Sequence, residues 1–104
     1  MTDTAAVAEA VEGATSVLCF PLRGVVTCAG ISGEVDAVDY PPEALRKLID
    51  VNIMGTFLVV QAAARVMQKQ NSSGSVVLIA SISGHVANKA RPLPRLSFRF
   101  LTLV

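Results

Sequence analysis

At 104 residues the chain has room for one small domain, and a single core of that size is marginal. With 52% apolar and 16% charged residues it does not read as disordered, and so apolar a short chain is expected to pack against something else. A net charge of +1 argues against a dedicated nucleic-acid binder.

Residues 4–12 (TAAVAEAVE) are rich in helix formers, and Gly13 is a plausible stop. No charged n-region followed by an apolar h-region is found at the start, so no secretory signal is expected. The two cysteines, Cys19 and Cys28, are not spaced as CxxC, and no His or Cys cluster completes a metal site. Buried thiols in a reducing cytoplasm are the better reading. Residues 24–28 (GVVTC) are a short β-branched run ending at Ala29-Gly30, a strand followed by a turn. Residues 32–41 are polar and turn-like.

Pro41-Pro42-Glu43 reads as a helix start, since proline is tolerated in the first turn and an acid there suits the helix dipole. The helix is expected to run to about Gln70, where Asn71-Ser72-Ser73-Gly74 stops it. Leu45, Leu48, Ile49, Asn52, Thr56, Val59 and Ala63 fall on one stripe at helical spacing, expected to face a sheet. Met54, Phe57 and Leu58 lie on other faces, so the helix is expected to be covered on more than one side. Its longest apolar stretch, Ile53 to Met67, is interrupted by Gly55, Thr56, Gln61 and Arg65 and reads as too short to span a bilayer.

Residues 75–81 (SVVLIAS) are a nearly continuous apolar run, the pattern of a parallel strand covered on both faces. Strand, long helix and strand make a βαβ crossover. The tail is different in kind. All eight acids lie at or before Asp50, while residues 51–104 carry six bases and no acid. Pro92 and Pro94 stand close together ahead of an apolar end, FRFLTLV. The bases are spaced and form no amphipathic pattern, so the tail is read as solvated or disordered, with neither nucleic acid nor membrane as partner. The chain divides at residues 1–89 and 90–104 on this reading.

VVTCAGIS, DVNIMGTFLVVQAAA and GSVVLIASISGHVAN, in this order and spacing, resemble the middle of a short-chain dehydrogenase/reductase. The matching pieces are the family's NNAG-like turn, its VNxxG helix segment and the strand that ends in its serine. The resemblance covers about residues 22–89, and the ASISGHVAN stretch is most similar to fungal polyol dehydrogenases and ketose reductases. It implies an α/β chain holding part of a Rossmann-like, doubly wound parallel sheet with a long βαβ crossover helix. It also implies NADP or NAD as cofactor and a small carbonyl/alcohol pair as substrate. Relatives commonly pair through this long helix, so a homo-oligomer, or association with intact paralogues, is expected.

By resemblance Ser81 matches the serine that hydrogen-bonds the substrate oxygen, a role suited to the carboxyl end of a parallel strand. The residue pattern alone favours a serine that caps the strand-to-loop turn. Asn52 matches the helix asparagine of the family's catalytic tetrad. Its own surroundings also admit an amide that satisfies a kink or a neighbouring strand carbonyl, since a buried amide without partners costs roughly 1–3 kcal/mol. Cys28, Ala29 and Gly30 match the turn that contacts the adenine-ribose side of the dinucleotide, and an ordinary tight turn remains the alternative. Thr27 and Cys28 stand where the family has two asparagines, which leaves fewer hydrogen bonds for a neighbouring strand. Ser83 and His85 follow on a loop and are given no catalytic role.

Two family pieces are not in the sequence. No glycine triple has the spacing of the TGxxxGxG pyrophosphate loop. The only tyrosine, Tyr40, precedes the helix and is followed four residues later by Ala44, so the Tyr/Lys pair that moves the proton is absent. Past Ser81, where the family places that tyrosine, the chain reads PLPRLSFRF. The expectation is a fragment of an oxidoreductase that transfers no hydride by itself. The alternatives are a non-catalytic partner of full-length relatives and a truncated gene product without function.

Overall fold

Asp3 starts the first helix, α1 (Thr4–Ser16), by accepting hydrogen bonds on Oδ1 from the N–H groups of Ala5 at 3.0 Å and Ala6 at 3.2 Å. The computed structural model describes residues 3–82 apart from 34 and 36, so Ser83, His85 and the tail 90–104 lie outside the described residues. After α1 come strand β1 (Gly24–Thr27), a 3-10 turn (Ala37–Asp39), helix α2 (Pro42–Ile49), a π-helical turn (Asp50–Gly55), helix α3 (Thr56–Lys69) and strand β2 (Ser75–Leu78).

The predicted stop at Gly13 is not one: α1 runs on to Ser16. A mid-helix glycine costs only about 1 kcal/mol. Against that, Val7, Ala8, Val11 and Thr15 are half-buried along one side of a helix that packs on α3. The hydroxyls of Thr15 and Ser16 donate to the carbonyls of Val11 and Gly13 at 2.9 and 2.8 Å and close the last turn.

β1 and β2 pair in parallel, with Gly24 opposite Ser75 and Thr27 opposite Leu78. Two bonds outside the strands, Ser75 N–H to Arg23 O at 2.9 Å and Ile79 N–H to Thr27 O at 3.2 Å, extend the ladder at both ends. The expected α/β class, with parallel strands joined by a long helix, is what the chain forms. β2 differs from expectation in two ways. It ends at Leu78 rather than at residue 81, and all four of its residues are exposed rather than covered on both faces. Cover for a parallel strand comes from helices on the sheet faces and from neighbouring strands. Among the described residues α3 lies against β1, and nothing pairs with the outer edge of β2.

The helix from Pro42 to Lys69 is continuous over 28 residues. By length and composition alone it could cross a membrane, which the shorter Ile53–Met67 stretch did not suggest. Its packing is that of a core helix. Asn52 and Ala63 are buried on the stripe predicted to face the sheet, and Leu58, Ala62 and Val66 are buried on an adjacent stripe. The second stripe also carries Lys69, whose ammonium pairs with Glu12 of α1 at 2.5 Å, so α1 covers it. Leu58 is therefore not on a free face. Met54 and Phe57 are, at 44% and 55% exposure. Ile49, on the predicted stripe, is also exposed, while Leu45 and Leu48 on that stripe are half-buried.

The carboxyl end of α3 is closed by Asn71, whose φ of 49° is left-handed. Ser72 N–H reaches Met67 O at 2.9 Å and Asn71 N–H reaches Gln68 O at 3.0 Å, the paired bonds of a Schellman cap. Gly74 then passes under the helix. A Cβ there would lie 2.8 Å from Arg23 O and 2.6 Å from Met67 Sδ. Gly74→Ala is expected to lower stability by about 1–3 kcal/mol through overpacking, seen as a lower urea midpoint at unchanged m-value.

The Glu12–Lys69 pair has a smaller role. The Lys69 ammonium, by its hydrogen bond first and its charge second, holds the Glu12 carboxyl below its ordinary value. A lowered carboxyl stabilises the fold above its ordinary pKa and loses that contribution as pH falls through the folded value. Both side chains are more than half exposed, so the contribution is screened and small. Lys69→Ala should lower the denaturation midpoint slightly at neutral pH, and the difference from the parent should vanish in strong acid.

Candidate active site

The carboxyl end of a parallel strand pair is where α/β sheets place ligands. Here the register sets two segments side by side at that edge. Cys28–Gly30 leave β1 after Thr27, and Ile79–Ser81 leave β2 after Leu78. Ser81 therefore lies three residues beyond its strand as Gly30 does beyond its own. It is half-buried and engaged in an interaction of its own. It does not end the strand, as expected, but follows it on the same edge.

Asn52 joins this edge to the helix. It is 2% exposed and sits in the π turn. Its Oδ1 accepts from Ile31 N–H and its Nδ2 donates to Ile31 O, both at 2.8 Å. One side chain thus satisfies both backbone groups of a residue in the loop after β1 and holds that loop on the helix. The alternative of a neighbouring backbone partner is what the geometry shows, although the partner is loop and not strand. The π turn has the same logic: widening one turn sets a buried amide against a backbone that an uninterrupted helix would present differently.

Two recesses flank this point. One, of about 250 Å³, is lined by Val26, Thr27, Cys28, Ala29, Gly55, Thr56 and Val59. The other, of about 240 Å³ and nearly all apolar, lies between the helix and the end of β2, with Asn52, Phe57, Leu78 and Ala80 among its walls. Ala80 thus shares this recess with Asn52. Thr27 is buried and its Oγ1 has no partner among the described residues. The thiols of Cys19 and Cys28 are both exposed, contrary to the expectation of buried ones, because each lies in a segment flanking β1 rather than inside it.

The first recess is walled by small and apolar side chains. Its walls hold no cation and no glycine-rich turn for a pyrophosphate, and the N-terminus of α1 is taken up by its own Asp3 carboxylate. The described residues therefore do not fit a whole dinucleotide. No group of three or more His, Cys, Asp or Glu residues that could hold a metal ion occurs among them either.

Sequence reasoning missed Ile31, for a physical reason. It acts through its backbone, and a backbone acceptor leaves no mark in the side-chain pattern. Thr27 was noticed only for what it replaces, although a polar residue inside a β-branched run was a usable signal.

Over 89 residues the chain is 46% identical to a short chain dehydrogenase/reductase of Aspergillus versicolor, covering 86% of this chain and 30% of that protein. It is 42% identical over 72 residues to the (3R)-3-hydroxyacyl-CoA dehydrogenase of Mus musculus, covering 67% and 28%. Over 68 residues it is 38% identical to the ribulose-forming D-arabinitol 2-dehydrogenase of Candida albicans, covering 65% and 24%. The chain thus spans under a third of the length of these relatives. Among solved structures, a short-chain type dehydrogenase/reductase from Mycobacterium marinum superposes with a TM-score of 0.78 at 34% identity, over 85% of this chain and 35% of that one. ElxO with NADP bound superposes at 0.72 and 30%, over 84% and 35%. The sequence pattern of the short chain dehydrogenases matches residues 1–93, and the chain belongs to that family.

Proposed function

We propose that this chain carries the strand–helix–strand part of an NAD(P)-dependent oxidoreductase that interconverts a carbonyl and an alcohol, and that the 104 residues alone transfer no hydride. The observation that carries this reading is Asn52, buried in the π turn and bonded to Ile31 at the edge that also bears Ser81. In the reading Ser81 donates to the substrate oxygen, Asn52 holds the loop and a water of the proton relay, and Cys28, Ala29 and Gly30 form one border of the nicotinamide cofactor's site. The arabinitol dehydrogenase relative supports a polyol and its ketose as the substrate pair. The hydroxyacyl-CoA dehydrogenase relatives support a wider class of secondary alcohols. Two exposed, unpaired thiols support a reducing, cytoplasmic setting.

Two measurements test it together. The purified chain should show no substrate-dependent change in NADPH or NADH absorbance with polyols or ketoses, and no saturable NADP binding below the millimolar range. Residues 22–82 grafted into the matching segment of a full-length relative should retain turnover, and Ser81→Ala in the graft should cut kcat by about 10²–10³. A graft that is folded and active but indifferent to Ser81→Ala refutes the assignment. Turnover by the purified chain alone refutes its inactivity.

A second reading, a non-catalytic partner of full-length relatives, is favoured by one observation. Met54 and Phe57 stand exposed on the long helix, Phe57 at the recess that it shares with Leu78 and Ala80.

A further inference from the structure

On the reading that Cys28–Gly30 border the nicotinamide cofactor, we propose that Tyr40 positions that border. Its ring, seated on Gly33, ties the loop after β1 to the start of the long helix and so fixes where the turn Cys28–Gly30 stands.

The contact involves a glycine that its own backbone does not require. No glycine among the described residues has a left-handed φ, so alanine at position 33 would meet no backbone strain. What excludes it is Tyr40. A Cβ on Gly33 would overlap the Tyr40 hydroxyl and stand 3.1 Å from Cζ and 3.5 Å from Cε2. Gly33 is itself exposed, so the ring, and not a packed core, fills the place of a side chain.

Tyr40 is set there by its neighbours. The 3-10 turn Ala37–Asp39 runs into it and Pro41 follows it. A residue ahead of proline is biased to extended backbone. Pro41, with φ −64° and ψ 131°, leads directly into α2 at Pro42. A stiff helix start therefore carries the ring, which is half-buried.

Two ties thus meet on one short stretch. Asn52, inside the long helix, holds both backbone groups of Ile31 at 2.8 Å. Tyr40, ahead of the same helix, stands on Gly33 two residues further on. With the first tie alone the loop could swing about Ile31; the second fixes its course. Gly30 is the residue before the clasp, so a shift at Gly33 passes back through Ile31 to the turn at the end of β1. A misplacement on the order of 1 Å can cost about 10²-fold in an enzyme.

The graft of residues 22–82 in a full-length relative tests this. Gly33→Ala should raise KM for NADP about tenfold and leave kcat within about twofold, because binding is lost and chemistry is not. Adding Tyr40→Phe removes the hydroxyl that the new methyl meets, and should bring KM back to within about threefold of the parent graft. An unchanged KM in the Gly33→Ala graft overturns the proposal. So does a raised KM that Tyr40→Phe does not lower. Ser81→Ala in the same graft keeps the two questions apart: turnover that falls with Ser81→Ala beside a KM indifferent to Gly33→Ala defeats the role of Tyr40 and leaves the site itself standing. Should the Gly33→Ala graft fail to fold, the 104-residue chain decides. It has one tyrosine, so its tyrosine ring signals belong to Tyr40. Nuclear Overhauser contacts from that ring to the Gly33 α-protons support the tie, and their absence overturns it.

Discussion

Asn52→Leu is expected to lower the stability of the chain by about 2–4 kcal/mol. Leucine is close in size, so the loss is one of hydrogen bonds rather than of volume. Both bonds to Ile31 vanish together, and Ile31 keeps an N–H and a carbonyl that had been matched by one amide. Each polar group left buried and unpaired costs on the order of 1–3 kcal/mol, softened here because Ile31 is 37% exposed and water can reach it. For one small core that is a large share of the total. Asn52→Asp separates the two bonds by pH: the protonated acid keeps an acceptor for Ile31 N–H and an O–H donor for Ile31 O, and the ionised acid loses the donor and buries a charge. It should lose stability against the parent as pH rises and the acid ionises. Gln68→Leu, on an exposed position of the same helix, should stay within about 0.5 kcal/mol. Urea midpoints measure all three, and an Asn52→Leu chain as stable as its parent would show that the Ile31 pair is not formed.

Adjacent residues on the long helix should respond in opposite ways. Leu58 is 7% exposed beneath α1 and Phe57 is 55% exposed. Leu58→Lys forfeits roughly 1.5–3 kcal/mol of burial and drives an ammonium into the seam between two helices, for a total loss of about 4 kcal/mol or more. The α1 amides should lose their exchange protection first. Phe57→Glu gives up a half-covered ring, costs about 1 kcal/mol or less, and should reduce self-association measured by light scattering. If Phe57→Glu unfolds the chain and Leu58→Lys leaves it intact, the helix has the opposite faces outward.

The same pair shows where the sequence was readable. Helical spacing located the long helix and its ends, and Asn71 stops it for the physical reason its chemistry suggests. Spacing alone could not assign Leu58, because the deciding partner is α1, more than forty residues away in sequence, and a periodic pattern says that a side is apolar without saying what covers it. The π turn was invisible for a related reason. It depends on the match between Asn52 and a loop backbone, which leaves no mark in the helical period. β2 was legible as a parallel strand, but its apolar run records the cover such a strand is suited to, and the described residues leave it bare. At the site, Asn52 stood out as a polar residue on an apolar stripe, and Ser81 stood out only through the family resemblance.

The pairing of Gly24 with Ser75 also bears on the order in which the molecule assembles. The partners are 51 positions apart, from 75 minus 24, so no local turn can bring them together. Closing a loop of that length costs chain entropy before a single rung of the ladder offsets it. The long helix changes the problem. Its hydrogen bonds are local and form within about a microsecond, and once formed they replace a floppy connection by a rigid rod that leaves two links, residues 28–41 and 70–74, to arrange. The Schellman cap closes the end of that rod ahead of β2, and the Asn52 clasp, inside the rod, holds the loop that leaves β1. Sheet closure is thereby the late, topology-limited event, and the helix serves as the template on which two short strands find each other.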